Sequence, residues 1–469
     1  MERVWHAGVA LLAVMLLTPL LGWSQQPSPT NEAENPAATN AAGASAQSPD
    51  STTGFGSQQP NFAGSQGLFA RGLESASPLA GEDGPLRWGW ISVRSASFAQ
   101  YFSHVNFSDP SIQPQSQDVN GSRLGTSIVV DHAFGAVHFS VQYAPNLFIS
   151  DGNVYTDALN QSAGLDMTFQ LSPRWALQVT DRFSYYASQR YFSELSLDAN
   201  YLTGTLVQKN FLAGPGSVLF NSSSATFSYL WSPLTTISFA PLFDYQYGTG
   251  AVVPDQASVR AFYGGGRFAV SHLLSPTKTV GLSYSAQYAN FSNSSTVAGP
   301  QSSGLLQDLL VTYSQQFKET WHFNLGLGVY GNGGSQGGTV LALNAAITKT
   351  FHRMEFAANY NRGNQFNGFV TAAASNRVDA AHTMYWFPRL STSTSVGYFR
   401  TLNGSPPAQT ASYVAELLNF GLTRHLSLTG AISYITQTGD GVFVASGNQR
   451  FAAVGVTWSA VPPARYSQP

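Results

Sequence analysis

From Trp88 to Trp458 the chain repeats one device. A segment of about ten residues alternates apolar and polar side chains, a turn of two or three residues follows, and a second alternating segment leads away. The turns are compact: Leu171-Ser-Pro-Arg-Trp175, Trp231-Ser-Pro-Leu234, Leu274-Ser-Pro-Thr-Lys278, Phe317-Lys-Glu-Thr-Trp321, Phe351-His-Arg-Met354, Phe387-Pro-Arg-Leu390 and Thr423-Arg-His-Leu426, with a looser one at Asp131–Gly135. Between them lie longer loops rich in Gly, Ser, Asn and Pro, such as 293–304 and 331–338. Within one segment Trp321, Phe323, Leu325, Leu327 and Val329 alternate with His322, Asn324, Gly326 and Gly328. In another, Val280, Leu282, Tyr284, Ala286 and Tyr288 alternate with Ser283, Ser285 and Gln287. A period of two puts each set on one face of an extended strand. The chain is therefore read as all-β, an unbroken series of antiparallel hairpins.

Charge decides what the two faces meet. Asp, Glu, Lys and Arg make up 10% of the chain, where a soluble protein carries about a quarter. The polar face is built from Ser, Thr, Asn, Gln and Gly, an unusual choice for the outside of a soluble sandwich. A water-filled interior does not need surface charge, and an apolar exterior facing lipid excludes it. Short turns at one end and long loops at the other are the pattern of a membrane-spanning β-barrel. Trp175, Trp231, Phe317, Trp321, Phe351, Phe387 and Trp458 stand beside the short turns, and Tyr245, Tyr247, Tyr288, Tyr330, Tyr360 and Phe399 mark the opposite ends. Rings in two bands fit the two membrane interfaces. Multi-pass helices are excluded, because beyond the N-terminal leader no apolar run approaches about 18 residues. With no cysteine there is no disulfide scaffold or thiolate metal site. A formal net charge of −2 speaks against nucleic acid.

Eight hairpins and a last strand at Arg450–Trp458 need one more strand to reach an even number, and Trp88–Phe102 supplies it. The expectation is a single transmembrane antiparallel up-and-down barrel over residues 86–459, of about 16–18 strands, with fourteen as the lower bound if a weak hairpin folds inside. Residues 1–24 read as a secretory signal. Val9–Leu17 is its apolar core, and Gly22 and Ser24 are the small residues before a cut at Gln25. Residues 25–85 are rich in Gln, Pro, Ala, Ser and Asn, and Glu32, Glu34, Asp50, Glu74, Glu82 and Asp83 outnumber Arg71. Such a segment lacks the apolar residues to form a core and is expected to be a disordered periplasmic linker. Residues 460–469 form a short tail. Eighteen strands would place both ends of the barrel on the short-turn side.

At the level of architecture, residues 88–458 resemble bacterial outer-membrane β-barrel proteins of the porin-like type. Phe451-Ala-Ala-Val-Gly-Val-Thr-Trp458 looks like the C-terminal assembly signal of such barrels, although 11 further residues follow it. The resemblance implies an outer-membrane location. It also implies contact with outer-membrane lipid, the barrel-assembly machinery and periplasmic chaperones, and passage of small polar solutes or glycans. No cofactor is expected, and the resemblance leaves the oligomeric state open.

Charges at mid-barrel are the residues most informative about chemistry, because a lipid-facing charge there is penalised by about 2–4 kcal/mol. Arg123, Arg182 and Arg267 fall on polar positions at a similar height, and Arg94 can join them. Asp166, Asp244 and Asp308 are candidates for the opposing side. Together these predict a pore lining with a transverse field and a mild preference for anions. The competing reading is a set of salt bridges that stiffen the wall, or arginines that pin an inward loop. Asp181 falls on the apolar parity beside Arg182, which predicts a bulge. Tyr186, Tyr330, Trp386 and Phe399, if inward, suit stacking on sugars, and the alternative reading is an export conduit or surface-binding barrel for polysaccharide. A hydrolase is the third: Gly135-Ala-Val-His138-Phe-Ser140 resembles the short G-x-x-H-x-S stretch of outer-membrane phospholipases. Here, however, Val137, Phe139, Val141 and Tyr143 take the lipid face, so His138 and Ser140 point inward. The Asn-Gly that follows in that family is absent, and the chain is read as a non-enzyme. His132, His272, His322, His352 and His425 stand singly near strand ends and read as interfacial. A receptor with a folded plug is disfavoured, because residues 25–85 are too few and too polar to make one.

Overall fold

The computed structural model describes residues 87–460, apart from residues 89, 110–111, 135, 151–157, 187–217, 250–257, 294–302, 318–319, 333–337, 352, 367–371, 402–408 and 440–445. The expected signal, the linker, His352 and all but the first residue of the C-terminal tail lie outside the described residues, as does the side chain of Tyr186.

A two-residue strand, β1 (Arg87–Trp88), folds back on Ile91 and Ser92. Eighteen wall strands follow. They are β2 (Ile91–Asp109), β3 (Ile112–Phe134), β4 (Val137–Ser150), β5 (Ala158–Ser172), β6 (Trp175–Tyr186), β7 (Val218–Ser232), β8 (Thr235–Thr249), β9 (Ser258–Ser275) and β10 (Lys278–Asn293). The second half comprises β11 (Gly304–Phe317), β12 (Trp321–Asn332), β13 (Gly338–Thr350), β14 (Met354–Phe366), β15 (Ala372–Phe387), β16 (Leu390–Thr401), β17 (Gln409–Gly421), β18 (Leu426–Gly439) and β19 (Ser446–Ser459). Each pairs antiparallel with the next, and β19 returns to β2 from Ser459↔Ser95 to Ser446↔Ser108. The sheet is closed, so no edge strand is left unpaired. Ile91–Asp109 is a full member of the wall, which fixes the count at eighteen. An even number brings the start of β2 and the end of β19 to the same, short-turn rim.

Turn chemistry explains the rim. In the Ser-Pro turns the hydroxyl of the Ser accepts backbone N–H groups that the bend would otherwise strand. Ser172 Oγ accepts from Arg174 N at 3.3 Å and Trp175 N at 3.2 Å, and Ser232 Oγ accepts from Leu234 N at 3.3 Å. Thr423 Oγ1 does the same for Leu426 N at 3.0 Å. The loosest expected turn is tighter than its sequence suggested: β3 runs on to Phe134, and β4 resumes at Val137. Strands run from 12 to 23 residues, longer than a membrane span requires, because paired strands continue as ribbons beyond it. Two prolines inside strands mark breaks in the ladder. No register pairs join β3 to β4 between Gly125↔Asn146 and Ile128↔Tyr143 beside Pro145. None join β7 to β8 between Ser224↔Leu242 and Phe227↔Phe239 beside Pro241. Proline has no N–H to give a ladder.

Large apolar side chains occupy one parity of nearly every strand and are widely exposed, while small polar ones on the other parity are buried. The first set is the outer face and the second the inner. Rings collect outside at the short-turn rim. Trp175 packs on Tyr229 with centroids 4.4 Å apart, and Lys349 Nζ lies 3.9 Å from the Trp321 centroid and 4.0 Å from that of Phe351. Three expectations need correction. Tyr330 and Phe399 are buried on the inner face, so they are not part of an outer girdle. Trp386 is on the outer face, 48% exposed, with its indole N–H donating to Thr392 Oγ1 at 3.0 Å. It shares the parity of Val378 and His382, so plain alternation along β15 turns it away from the lumen.

The third correction is Asp181. It pairs in unbroken register with Leu165 and with Ser223, so there is no bulge and its carboxylate lies on the outer face. Asn221 Nδ2 and Ser223 Oγ, both on the outer parity of β7, donate to its Oδ1 at 2.9 and 2.7 Å. A polar side chain on an apolar surface is tolerated when its hydrogen bonds are met locally.

Candidate functional site: the inner wall

The seven residues expected to line a pore fall into local groups. Arg182 and Asp166 lie diagonally across the β5–β6 pair. Arg182 Nη2 donates to both carboxylate oxygens at 2.7 Å, and its Nη1 donates to the Leu165 carbonyl at 2.9 Å. Gly164 is opposite Arg182, and a Cβ there would meet Nη1 at 3.2 Å, so the missing side chain gives the guanidinium its bed. Arg123 Nη2 and Nε donate to Asn146 Oδ1 at 2.7 and 3.2 Å, and its guanidinium lies 5.3 Å from the Phe148 centroid. Arg267, Ser285, Asp308 and Tyr330 stand in one cross-strand row over β9–β12. Asp244 belongs to a neighbouring row, between Ser222 and Tyr263. Arg94 sits in a β-bulge, with Nη2 3.9 Å from Asp131 Oδ2. The acids are thus interleaved with the arginines along β2–β11 and do not form an opposing wall.

Accessibility divides the group. Arg182 and Asp166 keep 36% and 44% of their side-chain surface. Arg123 and Arg267 keep 3% and 9%, and Asp244 and Asp308 are equally buried. The difference does not follow height alone, since inward Ser427, Thr429, Thr457 and Ser459, all near the short-turn rim, are also covered. Toward the short-turn rim inward side chains such as His138, Gln142, Thr168 and Gln178 are exposed. Toward the long-loop rim Ser103, Gln287, Ser375, Gln437 and Gln449 are almost wholly covered. Exposed inward side chains on the short-turn half are found on β4–β6.

A group that sequence reasoning missed lies across the lumen. Arg377 Nε donates to Asp379 Oδ2 at 2.5 Å, its Nη2 donates to Oδ1 at 3.2 Å, and Tyr413 OH donates to the same Oδ1 at 3.0 Å. Gly397 lies beneath, where a Cβ would sit 2.7 Å from Asp379 Oδ1. The signal was present in Arg377-Val378-Asp379, two opposite charges two residues apart on one strand face. Tyr385 OH donates to Glu355 Oε1 at 3.4 Å nearby.

His138 and Ser140 are on the inner face, as their parity required. His138 Nε2 lies 2.9 Å from Asp131 Oδ1. Among the described residues Ser140 makes no hydrogen bond to His138, so the pair lacks the nucleophile–base contact that hydrolysis needs. Of the aromatics considered for sugar stacking, Trp386 is outside and Tyr330 and Phe399 are covered.

No family model matches the chain, and no curated protein does either. Solved structures with a similar fold include OpdQ from Pseudomonas aeruginosa, with a TM-score of 0.39, 10% identity, and cover of 78% of this chain and 97% of that one. A BenF-like porin from Pseudomonas fluorescens has a TM-score of 0.41, 8% identity, and cover of 78% and 98%. The siderophore receptor PirA from Pseudomonas aeruginosa has a TM-score of 0.41, 9% identity, and cover of 78% and 80%. On its own closed eighteen-strand sheet, apolar outside and polar inside, the chain has the architecture of a porin-like outer-membrane β-barrel.

Proposed function

We propose that the chain is a passive outer-membrane channel for small polar solutes. The observation that carries this is the inner wall: a closed barrel lined by neutral polar side chains and by ion pairs such as Arg182–Asp166 and Arg377–Asp379, with inward His138, Gln142, Thr168 and Gln178 exposed. Barrels of this strand number enclose an aqueous passage. In planar bilayers the refolded protein is expected to insert in steps of steady, ohmic conductance. Folded protein that inserts silently would refute the reading.

Selectivity rests on the accessible pair. Inward Arg94, Arg123, Arg182, Arg267 and Arg377 are nearly balanced by Asp131, Asp166, Asp244, Asp308, Asp379 and Glu355, so discrimination by charge is weak. The expected mild preference for anions depends on Arg182, which stands free enough of cover to meet a passing ion. Arg182→Gln should move the reversal potential in a salt gradient toward cations, and Asp166→Asn toward anions. Arg123→Gln and Arg267→Gln should leave it near the wild-type value. Equal shifts from all four would reject this division of the wall.

A further inference from the structure

The outer face is apolar over most of the circumference. On β11 and β12 its mid-height residues are Leu309, Val311, Leu327 and Val329, all exposed. The sector β15–β17 differs. His382, Thr394 and Glu416 are neighbours in a single cross-strand row, His382↔Thr394 and Thr394↔Glu416. Their parity is that of exposed Val378, Val396, Val414 and Leu418, which places all three on the outer face. Glu416 is five residues from the short-turn end of β17, and His382 is five from that of β15. Strand rise and tilt put that level roughly 12 Å above the rim, about half of a ~25 Å apolar band. Among the described residues none of the three side chains has a hydrogen-bond partner.

Asp181 shows how this barrel treats a carboxylate facing lipid: Asn221 and Ser223 satisfy it from the adjacent strand. Glu416 has no such neighbours, since Ile432 and Thr394 flank it and only the threonine is polar. An acid, a base and a hydroxyl left open at mid-height are poorly matched to acyl chains. They are well matched to each other. With Thr394 at the centre, His382 lies one strand to one side and Glu416 one strand to the other. A two-fold axis along the membrane normal beside Thr394 would set the His382 flank of one copy against the Glu416 flank of the second, twice over. This is the self-complementarity that an isologous contact requires.

We infer that the outer face of β15–β17 is a contact surface between two copies of this chain, with His382, Thr394 and Glu416 as its polar centre.

The chain has no cysteine, so one introduced thiol reports one position. Thr394→Cys, oxidised with copper phenanthroline in intact outer membranes, should run mostly as a dimer without reductant and as a monomer with it. Leu327→Cys, on the apolar sector, should remain a monomer. Folding is checked by the heat-dependent shift in gel mobility. If Thr394→Cys does not fold, Thr392→Cys repeats the test one outward position nearer the rim. A folded variant that cross-links no more than Leu327→Cys overturns the proposal. Joining His382→Leu with Glu416→Leu should abolish the dimer band of Thr394→Cys while leaving single-channel conductance unchanged. Persistence of the band in that background also overturns it. Conductance is read on a separate axis, so failure of the contact and failure of the channel reading are distinguishable.

Discussion

Gly328→Val should abolish the folded barrel. Gly328 lies on the inner face of β12, in register with Leu310 on β11 and Ala342 on β13. A Cβ built there would run into the carbonyl oxygen of Leu309, and it would lie 2.8 Å from Leu309 C and 2.9 Å from Leu310 Cα. These are backbone atoms of the paired strand, so no rotamer change relieves the clash. Leu310, fully buried at 0% exposure, closes the space above. β12 must therefore leave β11, and in a closed sheet a broken pair is a broken barrel. The loss is expected to exceed roughly 4 kcal/mol, the exceptional end of single substitutions. It should appear as missing heat-modifiable mobility after refolding into lipid. Gly331→Val on the same strand is the control, since a Cβ there meets nothing within 4 Å. Equal folding of both variants would show that β11 and β12 are not held this closely.

The wall was legible because lipid and water sort side chains one residue at a time. Trp321 to Val329 reads as a strand without knowledge of its partners, and the short turns give the hairpins and their register. Register then makes the Arg182–Asp166 pair readable, because the Ser-Pro turn between them brings positions 16 apart in sequence onto neighbouring strands. Asp181 shows the limit of reading one strand at a time. Its parity was correct, and the bulge was invoked only because a lone acid on that face looked untenable. The residues that make it tenable, Asn221 and Ser223, are some forty positions downstream, on the same face of β7. Cover of the inner wall was not legible at all. Arg123 and Arg182 both face inward, yet one keeps 3% of its surface and the other 36% of its side chain. That difference depends on what packs against the sheet, which no strand period records. Trp386 was legible too, since it shares the parity of Val378 and His382 and plain alternation puts it outside.

Leu327→Arg should destabilise the barrel by about 2–4 kcal/mol, the cost of an Arg at mid-membrane on a barrel exterior. Leu327 is adjacent in sequence to Gly328, but it fails for the opposite reason. It points outward, 46% exposed, between Val311 and Leu343 on the neighbouring strands. There is room for an arginine, and no acid stands beside it in register to meet the charge. Leu341→Arg, near the long-loop end of β13, is expected to cost only about 0–1 kcal/mol, because the guanidinium there reaches the headgroup region. Urea unfolding of barrels inserted in liposomes measures both. A dependence on depth requires an apolar medium around the barrel, with water at its edges. A soluble barrel with the same coordinates would accept both arginines almost without change, since its outer face would already be wet. Equal midpoints for Leu327→Arg and Leu327→Ala would therefore remove lipid from the outer face. With it would go the physical reason for placing so few charges on a chain of this length.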